Sequence, residues 1–518
     1  MTDRAIGPEK KFDVRLALSF VLVAAAGVYA VLFDDPYIAI LALPFFALGC
    51  ARGKHPYVLT ALALLPAALL LAISFGKSVA TGMPLVAYDH FFLRGNLVML
   101  AYNDWRVASG LLLTAVAIFF YARAMLSGKG SFSIFEKGGL VALALVAGYC
   151  IFAMRTEPQI AIWEPQSHYP TIRTFVKSTQ ATNPQLQLTA EAAPDAALEA
   201  ALDRTVPLAM TAPPDKPDIF FILQESTFLP EILRPEHRSK HLFAGDAAQR
   251  GPLKVHTYGG GTWRTEFSLT TQMRASEFGG DGLYVFHQLE GRVHRSIFSE
   301  LKKLGYRTVV FYPVPGFFIN AAPFYASIGV DEFYDPESLG INKGWDWKTP
   351  DEKFYQAMLK KLENSPQPVV ALMLTISQHG PHATQDPMTD YVERFDAADR
   401  AYGDFIDQVA ARGRRAGVVT FGDHQPEFTL RYIADETARY TTTYDIRCVN
   451  FACTGAPELA TPRDIVMLAP DALERFGFGL DDLSLAQRSA FAGCEGNTSL
   501  CGEASRLRFN TAFSHYFE

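Results

Sequence analysis

The sequence predicts a two-part architecture. An N-terminal polytopic α-helical membrane domain precedes a C-terminal α/β domain, whose mostly parallel sheet carries helices on both faces. Three observations predict it. Charged residues are only 19% of the 518, below the ~25% usual for soluble proteins, and uncharged apolar segments crowd the region before residue 155. From residue 217 onward, short apolar runs alternate with amphipathic stretches. Four of those runs are followed by polar residues, Glu225, Tyr312, His379 and the pair Asp423-His424. The net charge of −7, from 47 basic and 54 acidic residues, excludes a strongly basic nucleic-acid binder. A hydrophobic content of 49% excludes a mostly disordered chain.

The first domain, residues 1–155, holds five segments that suit membrane spans, at 16–33, 37–51, 56–75, 107–122 and 138–154. The second and fourth are short and need flanking residues or local thinning to cross. Basic residues fall in the N-terminal tail (Arg4, Lys10, Lys11, Arg15) and in two inner turns (Arg52 and Lys54; Arg123, Lys129 and Lys137). The turn Asp34-Asp35-Pro36 has none. The positive-inside rule then puts the N-terminus in the cytoplasm and, after five crossings, the large domain outside. Residues 83–102 are apolar but carry Asp89, His90 and Arg94. Acidic or Arg residues at a span's centre cost about 2.5–3.5 kcal/mol each, so this piece reads as an interfacial helix in an outer loop. No small-residue cleavage site precedes the acidic turn, so the first span reads as an anchor and not a signal peptide.

Residues 156–215 have linker character and run into Ala212-Pro213-Pro214, with a short helix expected at 170–177 along the bilayer. Residues 216–518 form the soluble domain. Strands are expected at 218–223, 307–311, 369–376, 417–421 and 464–468, and helices at 296–304, 350–363 and 397–412. Thr349 and Pro350 read as the N-cap and first residue of the second helix. Four of the six cysteines, Cys448, Cys453, Cys494 and Cys501, fall in the last 71 residues. The local pairings are Cys448–Cys453 and Cys494–Cys501, as befits an oxidising compartment; unpaired thiols or a zinc site are the alternative.

In open α/β sheets, ligands gather outside the carboxyl ends of the strands. Glu225, Asp423 and His424 offer oxygen, oxygen and nitrogen donors, a set that suits a divalent ion such as Mn²⁺, Mg²⁺ or Zn²⁺. Gly259-Gly260-Gly261-Thr262 is a glycine run that leads into a helix. A helix N-terminus there suits phosphate, and a metal-activated Thr262 hydroxyl is a nucleophile for phosphorus. On composition alone, the same run also reads as a flexible turn with Thr262 as an N-cap.

Gln224-Glu225-Ser226, Gly261-Thr262-x-x-Thr265-Glu266-Phe267, Ser377-Gln378-His379-Gly380-Pro381-His382 and Gly422-Asp423-His424 stand in an order and spacing that resemble a known group. It is the lipoteichoic acid synthase/phosphoglycerol transferase branch of the alkaline phosphatase–sulfatase superfamily, including its periplasmic glucan-modifying type. The resemblance covers nearly the whole chain, five spans included. It implies that Thr262 is the nucleophile, that Glu225, Thr262, Asp423 and His424 hold one metal ion (Mn²⁺ first, with Mg²⁺ or Zn²⁺ as alternatives), and that His379 contacts the transferred phosphoryl group. Arg264 is a further phosphate clamp, and Tyr312 a residue of the substrate pocket. The activity implied is metal-dependent transfer of a phosphoglycerol headgroup from phosphatidylglycerol to a periplasmic glucan or other envelope glycan through a phospho-threonine intermediate. The partners are a membrane phospholipid donor and a glycan acceptor, at the bacterial inner membrane with the catalytic domain in the periplasm. Phosphoethanolamine transfer and phosphodiester or sulfate-ester hydrolysis are the alternatives on the same scaffold, and a non-catalytic glycan-binding scaffold is the alternative of another class. There is one departure. Lipoteichoic acid synthases carry a Trp and an Arg after the strand that ends at Phe311, where this chain offers Ile319 and Ala321. Polymerising glycerol phosphate is therefore the less fitting outcome.

Overall fold

The computed structural model describes residues 14–33, 56–81 and 170–178, nearly all of 208–491 (343–345, 347–348 and 384 excepted), and isolated positions at 35, 37–38, 84–87, 89, 116 and 516. The chain forms two compact units, the first made of residues 1–89 and 96–181 and the second of 90–95 and 182–518.

In the first unit, helices α1 (Val14–Leu32) and α2 (Pro56–Thr81) stand where the first and third spans were expected. Among the described residues, no helix is long and apolar enough to cross a membrane. The segments 37–51, 107–122 and 138–154 lie outside the described residues, apart from single positions, as does most of 83–102. A short helix, α3 (Ile172–Ser178), occupies the stretch expected to be helical. Its first N–H donates to Asp35 Oδ2 at 2.8 Å, and its last residue, through Ser178 Oγ, accepts from Ala87 N at 2.6 Å. Lys77 pairs with Asp89 at 2.7 Å.

The second unit is a nine-stranded sheet. Its strands are β1 (Asp218–Gln224), β2 (Gln249–Lys254), β3 (Arg307–Phe311), β4 (Glu332–Tyr334), β5 (Val369–Leu374), β6 (Ala416–Gly422), β7 (Thr441–Val449), β8 (Glu458–Leu459) and β9 (Arg463–Asp464). The order is β4-β3-β5-β1-β6-β7-β2-β8, with β9 also on β2. From β4 to β6 every pairing is parallel; β7 then runs antiparallel to both β6 and β2. β1 is central and buried over its whole length, which is why it reads as an unbroken apolar run. Its side chains alternate between two cores. Ile219, Phe221 and Leu223 face one, and Phe220 and Ile222 the other.

The strands expected at 218–223, 307–311, 369–376 and 417–421 are β1, β3, β5 and β6. The strand expected at 464–468 is a correction. Ile465–Arg475 is helix α9, started by Asp464, whose carboxylate accepts from Val466 N. This helix is buried nearly all round, so its apolar run carries no period that would separate it from a buried strand. The helix expected at 350–363 is Asp351–Leu362 (α7), with Pro350 itself in the extended N-cap position. The helix expected at 397–412 is the second half of Pro387–Ala411 (α8), which starts earlier because Asp386 caps it and Pro387 opens it. The remaining helices used below are α4 (Thr262–Thr271), α5 (Ile297–Lys303) and α6 (Ala321–Ser327).

The core sets a stability prediction. Phe221 is fully buried on the central strand, so Phe221→Ala should cost about 3–5 kcal/mol. Thermal unfolding of the detergent-solubilised protein, followed by near-UV circular dichroism, should show a clear fall in midpoint. The exposed Ile232→Ala should shift it little.

Candidate active site

The parallel pairings set the site. Leu223 lies level with Leu374 on β5 and with Phe421 on β6, and Gln224 with Gly422. The chain therefore leaves three neighbouring strands together, at Glu225, Thr375 and Asp423. Two hydrogen bonds fix these exits. Glu225 N donates to Thr375 Oγ1 at 3.0 Å, and Ser226 N donates to Asp423 Oδ1 at 2.7 Å. Gly422 is required here, since a Cβ would stand 1.9 Å from the Thr227 carbonyl oxygen.

The glycine run approaches from another side. Gly259 N donates to Gln425 O at 3.0 Å, and the chain turns through positive φ at Gly259, Gly260 and Gly261. Gly261 (φ 81°) is the N-cap of α4, and Thr262 is its first residue. A Cβ on Gly261 would sit 2.8 Å from Thr257 Oγ1. Thr265, one turn on, donates its hydroxyl to the Asp423 carbonyl at 2.8 Å, tying the helix to the end of β6. The N-terminus of this ten-residue helix thus points its free N–H groups and positive dipole end into the site.

Thr262 Oγ1 lies 3.2 Å from Glu225 Oε2 and 3.4 Å from His424 Nε2. His424 Nε2 lies 3.2 Å from Asp423 Oδ2 and 3.7 Å from Glu225 Oε1. One donor atom each from Glu225, Asp423 and His424 falls within 4.8 Å of the others, and all three residues are buried. Burial pushes the Glu225 carboxyl up, and the Asp423 charge beside it adds to the shift. Burial also pushes Asp423 up to about 7, outweighing the hydrogen bonds it accepts. His424 is lowered, again by burial, so its imidazole is neutral. Its Nδ1–H donates to the Gln425 carbonyl at 3.1 Å, which leaves Nε2 as the lone-pair nitrogen.

These residues fit a divalent cation. Asp423 Oδ2 is buried without a hydrogen bond, two neighbouring carboxyls are raised by burial, and a neutral imidazole nitrogen lies beside them.

His379 follows β5, with Nδ1 2.6 Å from the Gly380 carbonyl. It lies within electrostatic reach of both Glu225 and His424. Arg394 on α8 braces its loop by donating to the carbonyls of His379 and Pro381, at 2.8 and 3.2 Å. Arg264 is buried on the first turn of α4. Tyr312 is buried too, and its hydroxyl donates to Glu266 at 3.2 Å. Through Glu266, which lies one helical turn past Thr262, it is tied to the helix that bears Thr262. Sequence reasoning missed Ser226 and Thr375, whose bonds cross between chain segments 197 and 150 residues apart. It also missed Arg394 and gave no role to Glu266. Ser226 and Glu266 left a signal, as members of the Gln224-to-Ser226 and Gly261-to-Phe267 motifs, and Thr375 and Arg394 left none.

Residues 217–446 match the Sulfatase family model, and the domain they build belongs to the alkaline phosphatase–sulfatase superfamily. Three curated relatives give this more detail. An uncharacterized protein of Haemophilus influenzae is 29% identical over 245 residues, 41% of this chain and 44% of its own. The lipoteichoic acid synthase-like protein YvgJ of Bacillus subtilis is 24% identical, over 40% of this chain and 36% of its own. A protein of Rhizobium meliloti named for cyclic beta-1,2-glucan modification is 24% identical, over 42% and 37%. The chain spans less than half the length of these relatives.

Ligand ionisation makes metal binding pH-dependent. The Asp423 carboxyl, raised to about 7, must lose its proton to bind a cation. Apparent affinity should therefore fall by about tenfold per pH unit from pH 7 downward, and the raised Glu225 carboxyl steepens the fall wherever it too gives up a proton. Mn²⁺ titration by calorimetry at pH 8, 7 and 6 reads the slope.

Proposed function

We propose that this protein is a metal-dependent transferase that moves a phosphoglycerol headgroup from phosphatidylglycerol to a periplasmic glucan or other envelope glycan. The observation that carries the reading is the convergence of Thr262 Oγ1 with Glu225, Asp423 and His424 at a helix N-terminus. A nucleophile and a cation-binding set on one phosphate-sized spot suit phosphoryl transfer, which needs positioning and charge neutralisation above all. The names of the B. subtilis and R. meliloti relatives support an envelope acceptor and, in the second case, a glucan.

A divalent ion held by Glu225, Asp423, His424 and Thr262, with Mn²⁺ as the first candidate, would lower the hydroxyl's pKa and neutralise phosphate oxygens. The chain supplies the rest. Thr262 oxygen attacks phosphorus in line, the bond from phosphorus to the diacylglycerol oxygen breaks, and the headgroup stays on Thr262. The free N–H groups of α4 hold the phosphate oxygens, with Arg264 as a further clamp. His379 donates Nδ1–H to Gly380, so only its imidazolium carries a second N–H, on Nε2. That form contacts the phosphoryl oxygens and protonates the departing alkoxide. A glycan hydroxyl then attacks the same phosphorus and gives its proton to the now neutral His379. The bond from phosphorus to Thr262 Oγ1 breaks, and Thr262 leaves as the oxyanion that began the cycle. Tyr312 serves the substrate pocket indirectly, by holding Glu266.

We place residues 1–155 in the inner membrane with five crossings, residues 156–215 as a juxtamembrane linker, and residues 216–518 in the periplasm. The contacts within the first unit support this. Asp35, Ala87 and the helix Ile172–Ser178, all on the outer side by the charge rule, are hydrogen-bonded together. A sixth crossing between residues 87 and 172 would separate them. The Cys448–Cys453 disulfide, with Cα atoms 5.5 Å apart, supports an oxidising compartment. Cys494 and Cys501 lie outside the described residues.

Thr262→Ala tests the reading. In cells that carry the variant as sole copy, mass spectrometry of envelope glycans should show loss of the glycerol-phosphate increment, and transfer in vitro should fall by at least about 10³-fold. Unchanged substitution would remove the enzyme reading. Headgroup-labelled phosphatidylglycerol and phosphatidylethanolamine, offered in turn, identify the donor.

A further inference from the structure

A cavity of about 690 Å³ opens outside the carboxyl ends of β3 and β4. It is lined by Gly316, Phe317, Asn320, Phe333, Asp335 and Ser338, among others. That volume is within the range of small-molecule sites, and its position is the ligand-binding side of the sheet. Resting on the function proposed above, we propose that this cavity is a distal acceptor subsite that seats one sugar ring of the glycan, with Phe317 as its stacking platform.

The backbone is built to hold it open. Ile319 (φ 47°) and Asn320 (φ 66°) are consecutive non-glycine residues in the left-handed region, a costly conformation for a β-branched side chain. Two anchors impose it. Ile319 is buried in the core, and Asn320 Nδ2 donates to the Phe286 carbonyl at 3.2 Å and to Glu290 at 2.7 Å. The bend leaves Phe317 53% exposed, while Phe333 on the other side packs against Tyr312 with ring centres 5.4 Å apart. Gly316 must lack a side chain, because a Cβ would stand 2.8 Å from Phe333 and 2.9 Å from Ala322.

The chemistry of the lining selects the occupant. No Lys or Arg lines the cavity among the described residues, and the carboxylate of Asp335 does, so the lining disfavours an anionic phosphate headgroup. Both N–H groups of Asn320 are engaged, which presents its carbonyl oxygen as an acceptor. Asp335 accepts from Ser338 N at 3.0 Å and from Gly316 N at 3.3 Å, and its carboxylate keeps further lone pairs. Acceptors around an exposed aromatic face match a neutral polyol, whose hydroxyls donate and whose C–H face stacks. The cavity also joins the nucleophile's own element. Trp263, next to Thr262, stacks on Tyr284 at 5.6 Å, and His287 three residues further on lines the cavity. With one ring seated there, it is an adjoining unit of the multi-unit glycan that would extend to Thr262.

The test uses the full chain in lipid nanodiscs. Cyclic β-1,2-glucan is titrated into Thr262→Ala protein by calorimetry, which reads binding without transfer. Adding Phe317→Ala, or Pro323→Trp to fill the cavity, should weaken binding by about tenfold or more. In the transferring protein, Phe317→Ala should raise KM for the glucan about tenfold, while the half-saturating phosphatidylglycerol level moves less than twofold. Phe317 is exposed, so an unchanged melting temperature will confirm the variant's fold. Absent glucan binding, equal binding in all proteins, or competition by glycerol 3-phosphate would overturn the proposal. If no donor lipid supports transfer, the proposed function falls, and the glucan titration still decides the cavity.

Discussion

Glu225 and Asp423 are carboxylates held side by side out of water, and the surrounding structure answers the cost of that placement. Each is raised by its own burial, and Glu225 further by its neighbour. Ser226 serves both at once, its N–H on Asp423 and its hydroxyl on Glu225 at 2.8 Å. Ser226 makes that double contact at a positive φ of 50°, and Gly422 on the adjoining strand leaves room for the Thr227 carbonyl that follows. A buried acid pair with a neutral imidazole is costly unless a cation joins it, so the arrangement is best understood as a site shaped for one.

A third buried acid stands behind the first two. Glu266 sits one turn past Thr262, raised to about 8 by burial, and its oxygens accept hydrogen bonds from Tyr312 and Tyr325. At neutral pH it is chiefly uncharged and adds little negative charge to the pair. Its partners come from the loop after β3 and from α6, so it fastens the helix that bears the nucleophile to the segment that shapes the Phe317 cavity. The departure from the lipoteichoic acid synthase pattern gains a physical reading here. Ile319 and Ala321 are buried in the core, and their neighbour Phe317 is the side chain that reaches solvent.

Much of the fold was legible because the central strands are buried on both faces and so read as short apolar runs, each followed by a polar residue. The edge and antiparallel strands were not. β2, with the sequence Gln249-Arg250-Gly251-Pro252-Leu253-Lys254, has no apolar run or clean alternation, and it is a strand because β7 and β9 pair with it. The buried helix Ile465–Arg475 was read as a strand for the converse reason, since burial on every side erases the helical period. In the site, Glu225, Thr262, Asp423, His424 and His379 were legible as motif residues and strand ends. Ser226 and Thr265 stood in the motifs without a role, and Thr375 and Arg394 left no signal, because each acts through hydrogen bonds to another chain segment.

The sequence by itself determined the elements of the chemistry. It supplied a glycine run before a threonine, acids and imidazoles after apolar strands, cysteines close enough to pair, and an apolar N-terminal region distinct from the rest. Those are local properties of composition and spacing, and the chain carries them before it folds. Only the tertiary structure decided which of these groups meet, how close Thr262 stands to the donor set, and that Tyr312 turns inward while Phe317 turns out. Strand register and burial fix such relations, and both arise from contacts between residues far apart in the chain.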